Sequence, residues 1–176
     1  MPHQVSAVTW MLAREDAEDS RRQAMMGDCE AIGGLLSDEP GLGKTLSMIG
    51  LLLSGRAMNS EGKPSLIVSP TSVIAAQWQT EVERFTSGVV KVCLYTGPKT
   101  STTGQTPAVQ VAELRSATLV LTDLSVVRRE LHYLHAEQSG RAKRATHVCP
   151  LHQVSWRRIC VDEVQDVESQ AGAAAK

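Results

Sequence analysis

The run Asp38-Glu39-Pro40-Gly41-Leu42-Gly43-Lys44-Thr45 constrains this chain more than any other feature. An apolar stretch, Ile32–Ser37, precedes it and another, Lys44–Leu53, follows, so the expected local structure is strand, tight loop, helix. Small residues let a backbone turn sharply enough for its N–H groups to point inward, and a helix starting at that turn adds the positive end of its dipole. Such a loop is suited to an anion with several oxygens, such as a polyphosphate. Gly41 and Gly43 would permit the turn, Lys44 would reach the β- and γ-phosphates of ATP, and the Thr45 hydroxyl would ligate Mg²⁺. The pattern departs from strict GxxxxGK[ST], because Asp38 stands where the first glycine belongs and Pro40 has no N–H. Neither change disables the loop, since the donors that matter come from Gly41 to Thr45. The plain alternative is a glycine turn that happens to open a helix.

Downstream, apolar runs alternate with helical patterns, the signature of βαβ units and a mostly parallel sheet. Five strands are expected, at Ile32–Ser37, Ser65–Ser69, Val89–Tyr95, Thr118–Thr122 and Arg158–Asp162, and helices at Gln4–Ala17, Lys44–Leu53, Ser72–Phe85, Ala108–Arg115 and Ser125–Leu134. Residues 97–107, rich in Thr, Ser, Gly and Pro, and 136–150, which carry Arg141, Lys143 and Arg144, read as surface loops or insertions. At 176 residues the chain has room for one α/β domain. Hydrophobic residues at 42% and charged residues at 21% exclude wholesale disorder and coiled coil.

A nucleotide site also needs carboxylates at the end of a neighbouring strand, and Ile159-Cys160-Val161-Asp162-Glu163 supplies them. Asp162 suits the hydrated Mg²⁺ and Glu163 the polarisation of the attacking water as general base. Alone, an apolar run ending in two acids is an ordinary strand end. Beside the glycine loop it completes a hydrolytic set of Lys44, Asp162 and Glu163, with Thr45 and Asp162 as the metal ligands.

These residues together resemble the SNF2-type ATPases of helicase superfamily 2, and the resemblance spans nearly the whole chain. GGLLSDEPGLGKTLSMIGLLL (Gly33–Leu53) is similar to that family's motif I, and LIVSPTSVIAAQW (Leu66–Trp78) to motif Ia. LVLTDLSVVRREL (Leu119–Leu131) stands in the place of motif Ib, and ICVDEVQDVES (Ile159–Ser169) resembles motif II. Gln4 sits where the family's adenine-reading glutamine stands, although the expected Tyr is replaced by His3. Within the family the resemblance is nearest to the SNF2, histone-linker, PHD and RING-finger helicases.

The resemblance implies a three-layer RecA-like P-loop lobe, the N-terminal one of two that clamp Mg·ATP, in a nuclear motor that tracks double-stranded DNA or nucleosomes. Asp38, Glu39, Pro40, Gly41, Leu42, Gly43, Lys44 and Thr45 would hold the nucleotide with Gln4. Pro70, Thr71 and Ser72, and with them Thr122 and Asp123, would face DNA. Short hydroxyls and N–H groups at a strand-to-helix turn can grip a phosphate without reading a base, although Ser-Pro-Thr-Ser is equally an ordinary helix start with Thr71 or Ser72 as N-cap. Because no second lobe follows Glu163, the chain is expected to be a truncated lobe that hydrolyses little by itself and binds DNA weakly.

The net charge of −1, from 18 Lys and Arg against 19 Asp and Glu, imposes no global attraction to nucleic acid, so any such contact is local. No apolar run approaches the ~20 residues a bilayer needs, and no signal peptide opens the chain, so an intracellular, soluble protein is expected. Four scattered cysteines argue for reduced thiols, with Cys160 a small hydrophobe. His132-x-x-His135 and Cys149-x-x-His152 have spacings found in zinc modules but too few cysteines, and solvated histidines are the preferred reading. Trp78 and Trp156 are expected in the core. The competing readings are another P-loop NTPase, AAA-type or kinase-like, and a non-catalytic nucleotide- or partner-binding fragment.

Overall fold

The structure is a computed structural model that describes residues 2–24, 33–54, 62–98, 106–138 and 149–165. The chain divides into two compact units, Met1–Glu61 and Gly62–Lys176.

In the first unit, helix α1 (Pro2–Ala24) packs against helix α2 (Lys44–Leu53). The sequence of α2, KTLSMIGLLL, buries Ser47, Ile49, Leu51 and Leu52, and Val8 of α1 lies over Gly50. The strand expected at Ile32–Ser37 does not form over residues 33–37, and Ile32 lies outside the described residues. Strands exist by pairing, and the described residues of this unit include no second strand. Gly33 and Gly34 bring no side chain to pack, and Leu35 is left 69% exposed.

The second unit is an all-parallel, four-stranded sheet in the order β2-β3-β1-β4. Its strands are β1 (Ser65–Ser69), β2 (Val92–Leu94), β3 (Leu119–Asp123) and β4 (Ile159–Val161). The two central strands, SLIVS and LVLTD, are buried at successive positions, which requires cover on both faces of the sheet. The edge strands are three residues long and partly exposed, so the expected Val89–Tyr95 strand shrinks to Val92–Leu94. Parallel pairing demands crossovers, and α3 (Ser72–Thr86), α4 (Pro107–Ser116) and α5 (Leu124–Gln138) provide them. A 3₁₀ turn, Pro150–Gln153, leads into β4.

Leu66 and Val68 of β1 and Val120 of β3 join Val111, Leu114, Leu124, Val126, Leu151 and Val154 in one core cluster, with Trp156 packed against it. Ile67, Leu119 and Leu121, alternate residues on the same two strands, are at most 1% exposed outside that cluster. Helix α3 packs on β1, β2 and β3 and buries Ala75, Trp78 and Val82. The register pairs Ser69 with Asp123 and Val68 with Val161, so the carboxyl ends of β1, β3 and β4 lie along one edge of the sheet. The loop residues 99–105 and 139–148, with the basic cluster Arg141, Lys143 and Arg144, lie outside the described residues.

Candidate active site

In the first unit the glycine loop has the geometry its sequence demands. Gly41 at φ 86° and Gly43 at φ 79° both occupy the left-handed region, which a residue with a Cβ enters only at a cost of roughly 1–2 kcal/mol. The loop is closed by the Leu42 N–H donating to the Glu39 carbonyl at 3.4 Å. Gly43 is the N-cap of α2 and brings no side-chain cap, and the first helical bond runs from Ser47 N–H back to the Gly43 carbonyl at 3.1 Å. The N–H groups before Ser47 have no acceptor within the helix. Lys44 folds its ammonium onto the loop, donating to the carbonyls of Asp38 at 2.7 Å and Glu39 at 3.3 Å. Thr45 is half-buried in the first turn.

The start of α1 meets this loop. His3 Nε2 donates to the Leu42 carbonyl at 3.0 Å, which places the proton on that ring nitrogen. Gln4 Nε2 lies where a Cβ on Gly43 would stand, so any side chain at 43 would have to push the end of Gln4 aside as well as bear the left-handed backbone angle. Gln4 Oε1 is buried and, among the described residues, has no hydrogen-bond partner.

In the second unit, Asp162 follows β4 at the carboxyl edge, its N–H donating to the Val68 carbonyl at 2.9 Å. Its Oδ2 accepts from the indole Nε1 of Trp78 at 2.8 Å. Glu163 is exposed and held at φ 49°, a left-handed conformation unusual for a residue with a Cβ, and Gln165 Nε2 donates to its carboxylate. The Cys160 thiol is pushed up to about 12, mainly by burial and further by the Asp162 charge, and stays protonated.

The residues expected to face DNA separate into two groups. Thr71 and Ser72 are exposed and Pro70 half-buried at the end of β1, and Thr71 Oγ1 caps α3 by accepting from Ile74 N–H at 3.4 Å. Thr122 is withdrawn from the surface, being 1% exposed with its hydroxyl donating to the Tyr95 carbonyl at 2.9 Å. Its strand is central, so only Asp123 emerges there, and that carboxylate accepts from the N–H groups of Ser125 at 2.9 Å and Val126 at 3.1 Å at the start of α5.

A buried polar network escaped the sequence reading. Glu130, 3% exposed on α5, accepts from the Tyr95 hydroxyl and from Leu151 N–H at 3.0 Å. Burial raises its carboxyl above the ordinary range, against the opposing effects of the Tyr95 and Leu151 bonds and the charges of Arg129 and His152. Cys149 Sγ donates to the Glu130 carbonyl at 3.4 Å, while His132 and His152 are exposed. Among the described residues no group of three His, Cys, Asp or Glu is placed to hold a metal ion. Mg²⁺ needs fewer protein ligands, because substrate phosphates and water complete its shell.

A left-handed glycine loop capping a helix, with a carboxylate pair after a parallel strand, is shared by many nucleotide hydrolases. The family is decided by comparison: the profile described as SNF2-related domain matches residues 3–176. The chain belongs to the SNF2-related domain family. The ATP-dependent helicase rhp16 of Schizosaccharomyces pombe is 31% identical across the whole of this chain. The ISWI chromatin-remodeling complex ATPase ISW1 of Saccharomyces cerevisiae is 26% identical over 96% of it. The DNA repair protein RAD5 of Gibberella zeae is 26% identical over 82% of it. The chain spans 18%, 12% and 15% of those relatives, respectively. Membership of the SNF2-related family decides against the AAA-type and kinase-like alternatives. Among the described residues no helix is long and apolar enough to cross a membrane.

Proposed function

We propose that this chain is the ATP-binding lobe of an SNF2-type, ATP-dependent translocase on double-stranded DNA, of the chromatin-remodelling or DNA-repair class. One observation carries the reading: Gly41 and Gly43 are both left-handed at the uncapped start of α2, with the Lys44 ammonium drawn into the loop. Backbone N–H groups from Gly41 to Thr45 would bind the phosphates, and Lys44 would exchange two neutral carbonyls for charged oxygens, which make stronger hydrogen bonds. The orphaned Gln4 Oε1 and its adjacent Nε2 present the acceptor and donor pair that an adenine edge matches.

Mg²⁺, a hard cation that prefers oxygen, would take the Thr45 hydroxyl and the Asp162 carboxylate as ligands. The bound ion would neutralise charge developing on the phosphates during transfer. Glu163, exposed beyond Asp162, is the general base that takes a proton from the attacking water. Thr71 and Ser72 are the residues of this lobe that touch DNA phosphates, without reading bases. A second RecA-like lobe completes the active site in the full-length nuclear protein, and this lobe alone turns over little ATP.

The decisive experiment is turnover by the full-length protein with duplex DNA present. Glu163→Gln should keep ATP binding and lose hydrolysis, whereas Lys44→Ala should lose both. Hydrolysis unchanged by either substitution would refute the proposal.

A further inference from the structure

Trp78 is 6% exposed on α3, and an indole has a single donor, which a buried tryptophan must place on some acceptor. Most such bonds go to a nearby carbonyl, as Trp156 does with Leu151 at 3.0 Å. Trp78 instead reaches 84 positions along the chain to one carboxylate oxygen of Asp162, at 2.8 Å. The backbone of Asp162 is already tied to β1 through the Val68 carbonyl. The indole restrains what the backbone bond leaves free, the two side-chain rotations that aim the carboxylate.

We infer that Trp78 is a positioning residue for the metal-binding carboxylate: it engages Oδ2 of Asp162 and leaves Oδ1 as the oxygen presented to the cation. This rests on the proposed role of Asp162 toward Mg²⁺. Three features support orientation over packing alone. The donor is nearly buried, so water competes poorly for it. The acceptor is charged, which strengthens the bond. The indole is carried by a helix packed on the central strands β1 and β3, so the donor is fixed by the core. Outer partners that orient a ligating group typically change metal affinity by about 10–100-fold when removed.

The test titrates the full chain with a methylanthraniloyl derivative of ATP, once in EDTA and once over a range of Mg²⁺ concentrations. The wild type should bind more tightly as Mg²⁺ is added; no Mg²⁺ dependence at all would overturn the nucleotide reading itself, whatever Trp78 does. If that dependence is present, Trp78→Phe, which keeps the aromatic packing, should retain the affinity measured in EDTA and need about tenfold more Mg²⁺ for half-saturation. An unchanged Mg²⁺ requirement refutes the positioning role. A second readout needs no nucleotide: the indole ¹H–¹⁵N resonance of Trp78, assigned by its loss in Trp78→Phe or by backbone connectivity, should move upfield in Asp162→Ala. A resonance that stays in place shows that the bond is absent and refutes the positioning role, even where the phenylalanine variant fails to fold.

Discussion

Gly43→Ala separates two demands that the loop makes on one residue. Gly41 and Gly43 have similar left-handed angles, φ 86° and 79°, so an alanine at either costs the fold roughly 1–2 kcal/mol. Their surroundings differ. A Cβ on Gly41 meets nothing within 4 Å, whereas one on Gly43 occupies the space of Gln4 Nε2, with Gln4 Cδ at 3.6 Å. The obstacle is the far end of a flexible side chain, so the protein accommodates alanine by turning the Gln4 amide aside. The two variants should therefore lose similar stability, read as the urea midpoint of the full chain. Their nucleotide affinities should differ. Gln4 would forfeit two hydrogen bonds to the adenine at about 0.5–1.5 kcal/mol each, so Gly43→Ala should bind ATP about tenfold more weakly than Gly41→Ala. GTP, whose ring edge presents the opposite donors and acceptors, should show a smaller gap. Equal ATP affinity for the two alanine variants would refute the assignment of Gln4 to the base.

Two further outcomes follow from buried groups. The Glu130 carboxyl titrates higher in the fold than in the unfolded chain, so the native state binds the extra proton. The stability this contributes is fully present below the unfolded value near ~4.3 and is lost as pH rises through the higher folded value. Urea midpoints followed upward from pH 4 should show this loss in the wild type and not in Glu130→Gln; parallel profiles would contradict it. Thr122→Val keeps the shape but leaves the Tyr95 carbonyl without its donor, so it should destabilise the chain by about 1–3 kcal/mol while leaving duplex DNA affinity unchanged. Weakened DNA binding by the folded variant would return Thr122 to the DNA-contacting set.

The elements legible in the sequence were those whose local pattern agrees with their place in the fold. Ser65–Ser69 and Lys44–Leu53 form as expected because SLIVS is a continuous apolar run in a covered strand, and KTLSMIGLLL starts at a glycine that can turn and carries good helix formers. Ile32–Ser37 also carries apolar residues, but Gly33 and Gly34 interrupt them, a strand needs a neighbour, and pairing cannot be read from one segment. Helix α1 runs to Ala24, beyond the apolar pattern that suggested an end at Ala17, because its polar second half follows helix propensity.

The same division holds at the site. Lys44, Thr45, Asp162 and Glu163 belong to contiguous motifs, so their places at the start of α2 and just after β4 could be read from the sequence, and their proposed roles rest on those places. Trp78 and Glu130 were opaque, since each acquires its role from a partner distant in the chain: Asp162 for the indole, Tyr95 and Leu151 for the carboxyl. Trp78 does lie in the core as its residue type suggests, but its burial alone says nothing of where the N–H is directed. For Thr122 the strand position was right and the orientation wrong, because burial on a central strand overrides a hydroxyl's affinity for solvent.

The central claim, that the loop from Gly41 to Thr45 is a working phosphate site, is tested most directly by calorimetric titration of the chain with Mg·ATP beside Lys44→Ala. Among the described residues Lys44 donates only to the Asp38 and Glu39 carbonyls of its own loop, so its removal should leave thermal unfolding nearly unchanged. The wild type should bind, and the variant should bind at least tenfold more weakly, as expected for the loss of a charge-assisted contact with phosphate. Equal affinity in two equally folded proteins would contradict the account.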